Sequence, residues 1–499
     1  MNWSNKLGRS RFAGAVLAFA LGGLAALSFA PLGWHLLIFL GLAGLLFLAD
    51  PAAPRRAFVL GWLFGLGLFG VGVSWVYVSL AVYGGMPSWL AAFAVFLFCA
   101  ALALFPALAA GATVRYSRPG LFRLLLVFPL MWTATEWVRG WLFSGFPWLV
   151  AGYAQVPDGP LAGFAPLVGV YGVSWLSALG AGALVWLLRW LWLPGKWMAP
   201  VAALLLLTAV GEILKQLDWT APVGRPLSVA LVQGNVPQEL KWRPEQVSRT
   251  LADYAEQVRA ARARLIVLPE TAFPVFYEEL RPSYLAELRE LAAARGADIL
   301  AGVPTGDLAS DYYNSVVSIG AAPPQFYHKH HLVAFGEFLP PGFGWIAKVL
   351  HIPLPDFARG AKAQPPMRVA GQKVAVNICY EDVFGEEIIR PLPEATLLVN
   401  VTNDAWFGDS FAGWQHAQMS QMRALEAGRY MLRATNTGVT AIIDQKGRVV
   451  AALPEFVSAT LSGEAQGYTG ATPYARWGNA PVVVLMLGLL GLVGLRQRA

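Results

Sequence analysis

Long apolar runs separated by short loops dominate the first 214 residues of the chain. Each run is close to the roughly 20 residues that a helix needs to cross a hydrocarbon core of about 30 Å, although the second and the last are short. The pattern predicts about eight transmembrane helices, seven before residue 220 and one near the end. The runs lie near residues 12–30, 34–49, 57–82, 88–114, 121–142, 164–189, 196–214 and 480–495.

Between residues 225 and 470 the pattern changes to that of a water-soluble domain. Short runs rich in Val and Ile, such as LIVLPET (265–271), alternate with helical patterns such as PEQVSRTLADYAEQVRAAR (244–262). This alternation predicts an α/β domain whose sheets are covered by helices. Some consecutive strands have no helix between them, which favours a layered sandwich over one doubly wound sheet. A long helix is predicted from about 411 to 434.

The composition agrees with a membrane protein that carries one water-exposed domain. Hydrophobic residues make up 56% of the chain, charged residues make up 13%, and the mean hydropathy is +0.51. A water-soluble globular protein would not tolerate these values. We therefore expect a transmembrane domain of about seven helices over 1–220, an extramembrane domain over 221–475, and a last transmembrane helix with a short tail over 476–499.

Basic residues cluster in alternate loops and thereby predict the orientation of the chain. Short loops rich in Lys and Arg stay in the cytoplasm, whereas the loops PLGW and VYGGMPSW carry no charge. Both termini are expected in the cytoplasm, and the 221–475 domain on the outer side. Much of the net charge of +7 lies in the basic loops, so it does not indicate nucleic-acid binding. The basic residues are Lys6, Arg9, Arg11, Arg55, Arg56, Arg115, Arg118, Arg123, Arg189, Lys196, Arg496 and Arg498.

Polar side chains with complementary chemistry follow the apolar strands of the second domain. Glu270 ends LIVLPE, Cys379 follows KVAVNI, and the segment YHKHHLVAFGEFLP between them carries Lys329 and Glu337. Loops at the carboxyl ends of strands are where α/β folds bind ligands. A carboxylate, an amine and a thiol supply the base, the electrostatic stabiliser and the nucleophile that acyl transfer needs. The other cysteine, Cys99, lies in a hydrophobic run, so no disulfide is indicated.

Each of these residues also has a simpler interpretation. A lone buried Cys is usually an inert small hydrophobe, Glu270 could cap a turn, and Lys329 could be a solvated loop charge. Three further side chains, His328, His330 and His331, could ligate a metal. Adjacent histidines rarely converge on one ion, so we expect no metal here.

The quoted motifs resemble those of a known family. LPET with Glu270, YHKHHLVAFGE with Lys329, and NICYE with Cys379 resemble the Glu-Lys-Cys triad of the nitrilase superfamily. The flanking spans, VQGNVPQELKW and TEWVRGWLFSGFPW make the match closer still, to its membrane-embedded branch, the apolipoprotein N-acyltransferase family of bacterial inner membranes. The resemblance covers essentially the whole chain. Ala334 departs from the family's LVPFGE, where Pro is expected.

The resemblance implies a fold and a reaction. The extramembrane domain would be a nitrilase-like αββα sandwich in the periplasm, and the protein would be an acyltransferase. Cys379 would take the sn-1 acyl chain of a membrane phospholipid as a thioester and pass it to the α-amine of the diacylglyceryl-cysteine of an apolipoprotein. This ping-pong cycle needs no cofactor. Glu270 would be the general base, Lys329 would stabilise the oxyanion, and Glu337 would support Lys329.

Several residues are expected to bind the substrates. Trp242 resembles a family aromatic near the acyl chain or the entrance, and Tyr380 and Glu381 would shape the pocket of the nucleophile. In the fifth span Arg139 would contact a headgroup, although Glu136, three residues earlier, could simply neutralise it. Phe146 and Trp148 would contact lipid chains, or they are ordinary interface anchors. The 336–345 segment is predicted to be a lid.

Two other function classes remain open. A membrane-tethered nitrilase-type amidase acting on a small amide would keep the same triad, but a single anchor would suffice for it. A lipid-binding or lipoprotein-binding protein without enzymatic activity would tolerate loss of the triad, so the intact residues argue against it. We expect a monomer, because one chain carries the complete catalytic set.

Overall fold

The computed structural model describes residues 11–191, 193, 195–307, 311–339 and 357–496. The chain divides into two compact units. Unit 1 comprises Met1–Leu217, Asp409–Gln418 and Trp477–Ala499, and unit 2 comprises Asp218–Gly408 and Met419–Arg476. Lys6, Arg9 and Arg498, which were used to predict the orientation, lie outside the described residues.

Unit 1 is helical. Its helices also include short pieces, such as the π-helical turn Arg123–Val127, which leads directly into the helix that follows it. The longer helices are α1 (Arg11–Ala26), α2 (Leu36–Ala49), α3 (Pro54–Gly72), α4 (Ser88–Leu102), α5 (Leu104–Arg115), α6 (Phe128–Arg139), α7 (Ala165–Trp190), α8 (Met198–Gln216) and, near the end of the chain, Ala480–Arg496.

A helix lies in each of the eight predicted apolar runs, but not every one is long enough to span a bilayer. Among the described residues, four helical segments have the length and hydropathy to cross a membrane: Pro54–Gly72, Ser88–Arg115, Ala162–Trp190 and Met198–Gln216. Phe12–Ala26, Leu36–Ala49 and Ala480–Arg496 are apolar but shorter. The helical membrane domain is thus supported, whereas the number of eight spans stays a prediction.

Glycines let two of these helices approach each other closely. A Cβ atom on Gly22 of α1 would collide with the main-chain oxygen of Phe64 of α3, and one on Gly67 of α3 with that of Phe19 of α1. Small residues at such crossings allow the backbones to make van der Waals contact, which is a main source of helix association in lipid.

Unit 2 contains two six-stranded sheets. The first has the order β12-β1-β2-β3-β4-β5, and the second has the order β11-β10-β9-β8-β7-β6. In each sheet three adjacent inner strands, β1 to β3 and β7 to β9, run parallel. The strands are β1 (Ala221–Gln233), β2 (Leu265–Val267), β3 (Asp298–Gly306), β4 (Tyr312–Ile319), β5 (Phe326–His328), β6 (Met367–Val369), β7 (Gln372–Ile378), β8 (Leu397–Thr402), β9 (Met431–Thr435), β10 (Ala441–Ile443), β11 (Val449–Ala452) and β12 (Ala459–Thr469).

The two sheets share an apolar core, as the layered sandwich requires. Leu231 and Val267 of the first sheet belong to the same buried cluster as Val376 and Val399 of the second. A second cluster joins the other face of the first sheet to two helices, α9 (Pro244–Ala260) and α10 (Pro282–Ala293). The prediction of an α/β sandwich rather than a single doubly wound sheet is confirmed.

The predicted long helix at 411–434 is wrong in its last part. The helix there, α11 (Ala412–Ala427), stops before Gly428, whose φ of 61° breaks the helical path. Residues Met431–Thr435 instead form β9, which is buried throughout and pairs in parallel with β8. Met, Leu, Arg and Ala are good helix formers, but pairing within the sheet outweighs that propensity here.

The contact between α1 and α3 can be tested with two substitutions in the same helix. Gly67→Ile should lower the unfolding temperature of the detergent-solubilised protein by several degrees, because its side chain would collide with the backbone of α1. Gly70→Ile, where a Cβ atom has open space, is the control and should change it little. Equal unfolding temperatures for the two variants would contradict the packing.

Candidate active site

Three predicted catalytic side chains come from the ends of three strands of unit 2. Glu270 follows β2, Lys329 follows β5, and Cys379 follows β7. Glu270 and Lys329 are buried, and the Lys329 Nζ lies 3.6 Å from the Glu270 Oε1. The charges of both residues act on the Cys379 thiol. The sequence prediction that these residues share one site therefore agrees with their placement.

Cys379 is held in an uncommon backbone conformation. Its φ is 52°, in the left-handed region that few residues other than glycine adopt, and it begins the 3₁₀ turn Cys379–Val383. The Asn400 side-chain amide of β8 donates a hydrogen bond of 3.2 Å to the Cys379 carbonyl. Arg433 of β9 in turn donates to the Asn400 Oδ1 at 2.7 Å. Strained backbone of this kind persists where the surroundings fix it, and it is common at nucleophiles.

Lys329 lies beside two carboxylates that share an amide donor. Its Nζ lies 2.8 Å from the Glu337 Oε1 in addition to its contact with Glu270. Asn314 of β4 donates to the Glu270 Oε1 at 2.7 Å and to the Glu337 Oε1 at 3.2 Å. Glu337 therefore contacts Lys329 directly, and its supporting role stays a prediction. Asn314 was not predicted, although a polar side chain inside the apolar run YNSVVSIG was a signal for it.

The electrostatics of the site favour an ammonium ion beside a neutral thiol. Burial alone would lower the pKa of Lys329, but the carboxylates of Glu337 and Glu270 outweigh burial and hold that pKa above its ordinary value. Burial and the Glu270 charge raise the pKa of the Cys379 thiol well above its ordinary value, and Lys329 opposes them. The thiol is therefore hard to deprotonate without a base, and the Glu270 carboxylate is one of those whose charge acts on it.

Glu381 ties the segment after Lys329 to the segment that carries Cys379. Its carboxyl accepts the main-chain N–H groups of His330 at 2.7 Å, His331 at 3.1 Å and Ile378 at 2.7 Å. The Tyr327 hydroxyl donates a further bond of 2.9 Å. Burial raises the pKa of Glu381 to about 7, against the opposing effect of these N–H groups. Its substrate-binding role stays a prediction, because these four hydrogen bonds are internal.

A buried ionic network lies next to the turn that begins at Cys379. The Arg433 guanidinium donates to the Asp382 Oδ2 at 3.2 Å and to the Asp404 Oδ2 at 2.8 Å. Asp382 belongs to the turn that begins at Cys379, and Asp404 to the turn after β8. Arg433 was missed because its strand was predicted as helix.

The remaining predicted residues of unit 2 lie at or near the surface. Trp242 is 57% exposed. The Tyr380 ring packs edge-to-face on Phe384, with the ring centroids 5.2 Å apart. In the 336–345 segment that was predicted to be a lid, residues from 340 onward lie outside the described ones.

The three neighbouring histidines do not form a metal site. The Nδ1 atoms of His328 and His330 lie 2.8 Å from the Ser315 hydroxyl and the Gly360 carbonyl, respectively. His331 stacks on Phe384 and lies 3.4 Å from Glu387. Within the part of the chain that the structure describes, no three His, Cys, Asp or Glu side chains converge closely enough to hold a metal ion.

The predicted lipid contacts in unit 1 have internal partners. The Arg139 guanidinium donates to the carbonyl groups of Phe146 at 2.5 Å and Trp148 at 2.6 Å. Trp148 is buried, and its indole N–H donates to the Gln415 Oε1 at 2.6 Å. Glu136 accepts the main-chain N–H of Ala151 at 3.0 Å. These contacts stabilise the end of α6 and the loop after it, while the role of Arg139, Phe146 and Trp148 in lipid binding stays a prediction.

Comparisons with known proteins agree with the motifs. The family model described as apolipoprotein N-acyltransferase N-terminal domain matches residues 21–183, and the carbon-nitrogen hydrolase model matches residues 228–474. An apolipoprotein N-acyltransferase from Nitrosomonas europaea is 50% identical, with 96% of each chain covered. One from Methylococcus capsulatus is 49% identical, with 97% of this chain and 96% of the relative covered. The resemblance inferred from the sequence is confirmed.

The close packing behind Glu270 gives a test of the site geometry. A Cβ atom on Gly302 of β3 would lie 2.7 Å from the Glu270 Cα and 2.5 Å from the Thr271 nitrogen. Gly302→Ala should therefore displace the Glu270 main chain and lower the unfolding temperature by several degrees. In the control Gly463→Ala, the new methyl group meets only the flexible end of Ile442, so a small effect is expected. Equal thermal melts for the two variants would contradict the contact.

Proposed function

The chain belongs to the apolipoprotein N-acyltransferase family, and on that premise we propose that it transfers the sn-1 acyl chain of a membrane phospholipid to the α-amine of an apolipoprotein's diacylglyceryl-cysteine. Family membership makes it an acyltransferase of the carbon-nitrogen hydrolase superfamily. The observation that supports the proposed mechanism best is the buried Glu270–Lys329 pair, whose charges both act on the Cys379 thiol.

In the first half-reaction Cys379 takes the acyl chain. The Glu270 carboxylate accepts the thiol proton, and the sulfur attacks the ester carbonyl carbon. The Lys329 ammonium stabilises the oxyanion that forms, and such a donor is commonly worth about 3 kcal/mol. When the oxyanion collapses, the C–O bond of the ester breaks. Glu270 returns its proton to the leaving alkoxide, which departs as lysophospholipid.

In the second half-reaction the amine of the apolipoprotein attacks the thioester. Glu270 accepts the amine proton, Lys329 again stabilises the oxyanion, and the C–S bond breaks to give the amide. The Cys379 thiolate then recovers its proton from Glu270. No metal or cofactor takes part in this proposal, because ester and thioester are already activated acyl groups.

The neighbouring residues have supporting roles in this scheme. Glu337 keeps Lys329 charged and in place, which its 2.8 Å contact supports. Trp242 and Tyr380 are proposed to contact the acyl chain or the acceptor, and Glu381 to fix the wall of the pocket. In unit 1 we propose that Arg139 contacts a lipid headgroup. Phe146 and Trp148, in the loop that Arg139 holds, are proposed to contact lipid chains.

The proposed reaction also requires a membrane arrangement. We propose eight spans in a bacterial inner membrane, with residues 1–220 and 476–499 in the membrane domain and its tail, and 221–475 as the periplasmic catalytic domain. Both termini would lie in the cytoplasm. The four long apolar segments and the uncharged alternate loops support this arrangement. The protein is proposed to act as a monomer.

The thioester can be tested directly. Cys379→Ser should abolish the hydroxylamine-sensitive acyl adduct that forms when the purified protein is incubated with phospholipid labelled in the sn-1 chain. Cys99→Ser is the matched control, because that thiol is buried in α4 of unit 1, and it should keep the adduct. An unchanged adduct in Cys379→Ser would exclude the proposed nucleophile.

The same incubation separates the two enzyme classes that the sequence left open. Lysophospholipid released in equal amount to the adduct is expected of the acyltransferase. Hydrolysis of a small amide, with no lysophospholipid released from phospholipid alone, would instead identify a membrane-tethered amidase.

The role of Glu270 has its own test. Glu270→Gln keeps the side-chain volume but removes the base, so thioester formation should slow by about 10²- to 10⁴-fold. Cys379 in this variant should still react with iodoacetamide at high pH, because a strongly alkaline solution can deprotonate the thiol without the base. A rate of thioester formation close to that of the wild type would rule out Glu270 as the base.

A further inference from the structure

A second lysine is buried beside the proposed catalytic residues. Lys241 lies in the loop between β1 and α9 and is 3% exposed, whereas its neighbour Trp242 is 57% exposed. Burying an ammonium ion costs several kcal/mol unless nearby groups compensate the charge. The position of Lys241 therefore calls for a compensating partner.

That partner is the general base of the proposed mechanism. The Lys241 Nζ donates a hydrogen bond of 3.2 Å to the main-chain carbonyl of Glu270. The charges of Glu270 and Cys379 also act on the Lys241 ammonium. Lys329 contacts the carboxylate of Glu270, so this one residue is held at its side chain by one lysine and at its backbone by the other.

The loop that carries Lys241 is anchored by a chain of side-chain amides. Asn403, after β8, donates to the Gln238 Oε1 at 2.8 Å, and Asn436, after β9, donates to the Asn403 Oδ1 at 3.0 Å. Asn436 also donates to the Val236 carbonyl at 2.8 Å and accepts the Val236 N–H at 2.9 Å. These hydrogen bonds join the loop to the second sheet. They hold the loop in the position that buries the Lys241 side chain.

We propose that Lys241 is a positioning residue for the acylation step, holding the Glu270 main chain and adding a second positive charge beside Glu270 and Cys379. This inference rests on the proposed function. During the step the thiol proton moves from Cys379 to Glu270, and Lys241 keeps its own protons. The negative charge moves from the carboxylate to the sulfur and then to the oxyanion, and Lys241 compensates it before and after the proton transfer.

A count of the local charges shows why one lysine is not enough. Glu270 and Glu337 carry two negative charges, and Lys329 and Lys241 carry two positive ones, so these four groups are neutral together. Without Lys241 the set has a net charge of minus one, which opposes a thiolate at Cys379. The charge of Asp404 also acts on Cys379, and its partner Arg433 is shared with Asp382, so this neighbouring network supplies no excess positive charge.

The charge of Lys241 depends on pH. Burial lowers the pKa of Lys241 to about 8, against the opposing charges of Glu270 and Cys379. The ammonium ion is therefore present below about pH 8 and lost above it. Thiol reactivity should carry a shoulder near that pH, because the gain in thiolate with rising pH is offset by the loss of the neighbouring cation.

The test measures alkylation of Cys379 by iodoacetamide across the pH range, in the full-length protein with Cys99→Ala and without lipid. Lys241→Met should slow alkylation about tenfold at pH 7.5, which corresponds to a rise of about one unit in the thiol pKa. Lys241→Arg should retain most of the rate and move the shoulder to higher pH, because guanidinium stays charged. The control Lys373→Met removes a cation paired with Glu394 at the other end of β7 and should leave the profile unchanged.

Two outcomes would overturn the inference. One is a Lys241→Met profile that coincides with that of the wild type. If this variant does not fold, as judged by its thermal melt, Lys241→Arg decides the matter, and a shoulder that remains near pH 8 would overturn the inference. Because the assay contains no lipid, failure of the proposed acyl transfer would appear separately, as a wild-type protein that alkylates as expected but forms no thioester from phospholipid.

Discussion

The site depends on one buried interaction, the pairing of the Lys329 ammonium ion with the carboxylates of Glu270 and Glu337. A buried ion pair is stable only when its geometry is good and its remaining hydrogen-bonding groups are satisfied. Asn314 meets this requirement by donating to both carboxylates. The segments that carry Glu270, Asn314, Lys329 and Glu337 are thereby held together. Removal of one charged partner would leave an uncompensated charge in the protein interior.

The sandwich explains how such distant parts of the sequence reach one place. Three adjacent strands of each sheet run parallel, so Glu270 and Cys379 both follow the carboxyl ends of parallel strands, over a shared apolar core. The backbone of Cys379 is strained, with a positive φ. The hydrogen bond from Asn400, which Arg433 in turn holds, maintains this conformation. The neighbouring strands therefore supply the rigidity that the short turn beginning at Cys379 could not provide by itself.

Site residues that directly follow an apolar strand pattern could be predicted from the sequence. Residues whose position depends on pairing between distant strands could not. Glu270 and Cys379 follow apolar β-branched runs, so their position at strand ends could be inferred. Arg433 was hidden in a segment of good helix formers that becomes a strand only by pairing with β8. Lys241 stands next to Trp242 in a turn, and no local pattern says which of the two points inward. The length of membrane helices was likewise uncertain, because apolar runs continue into loops.

The shared anchoring of the two chain segments by Glu381 has a dynamic consequence. One carboxyl group accepts the N–H groups of His330 and His331, next to Lys329, and that of Ile378, next to Cys379. Because both segments bind the same carboxyl group, we expect a thermal displacement of one to carry the other with it. The separation between the Lys329 amine and the Cys379 thiol should then vary less than the position of either.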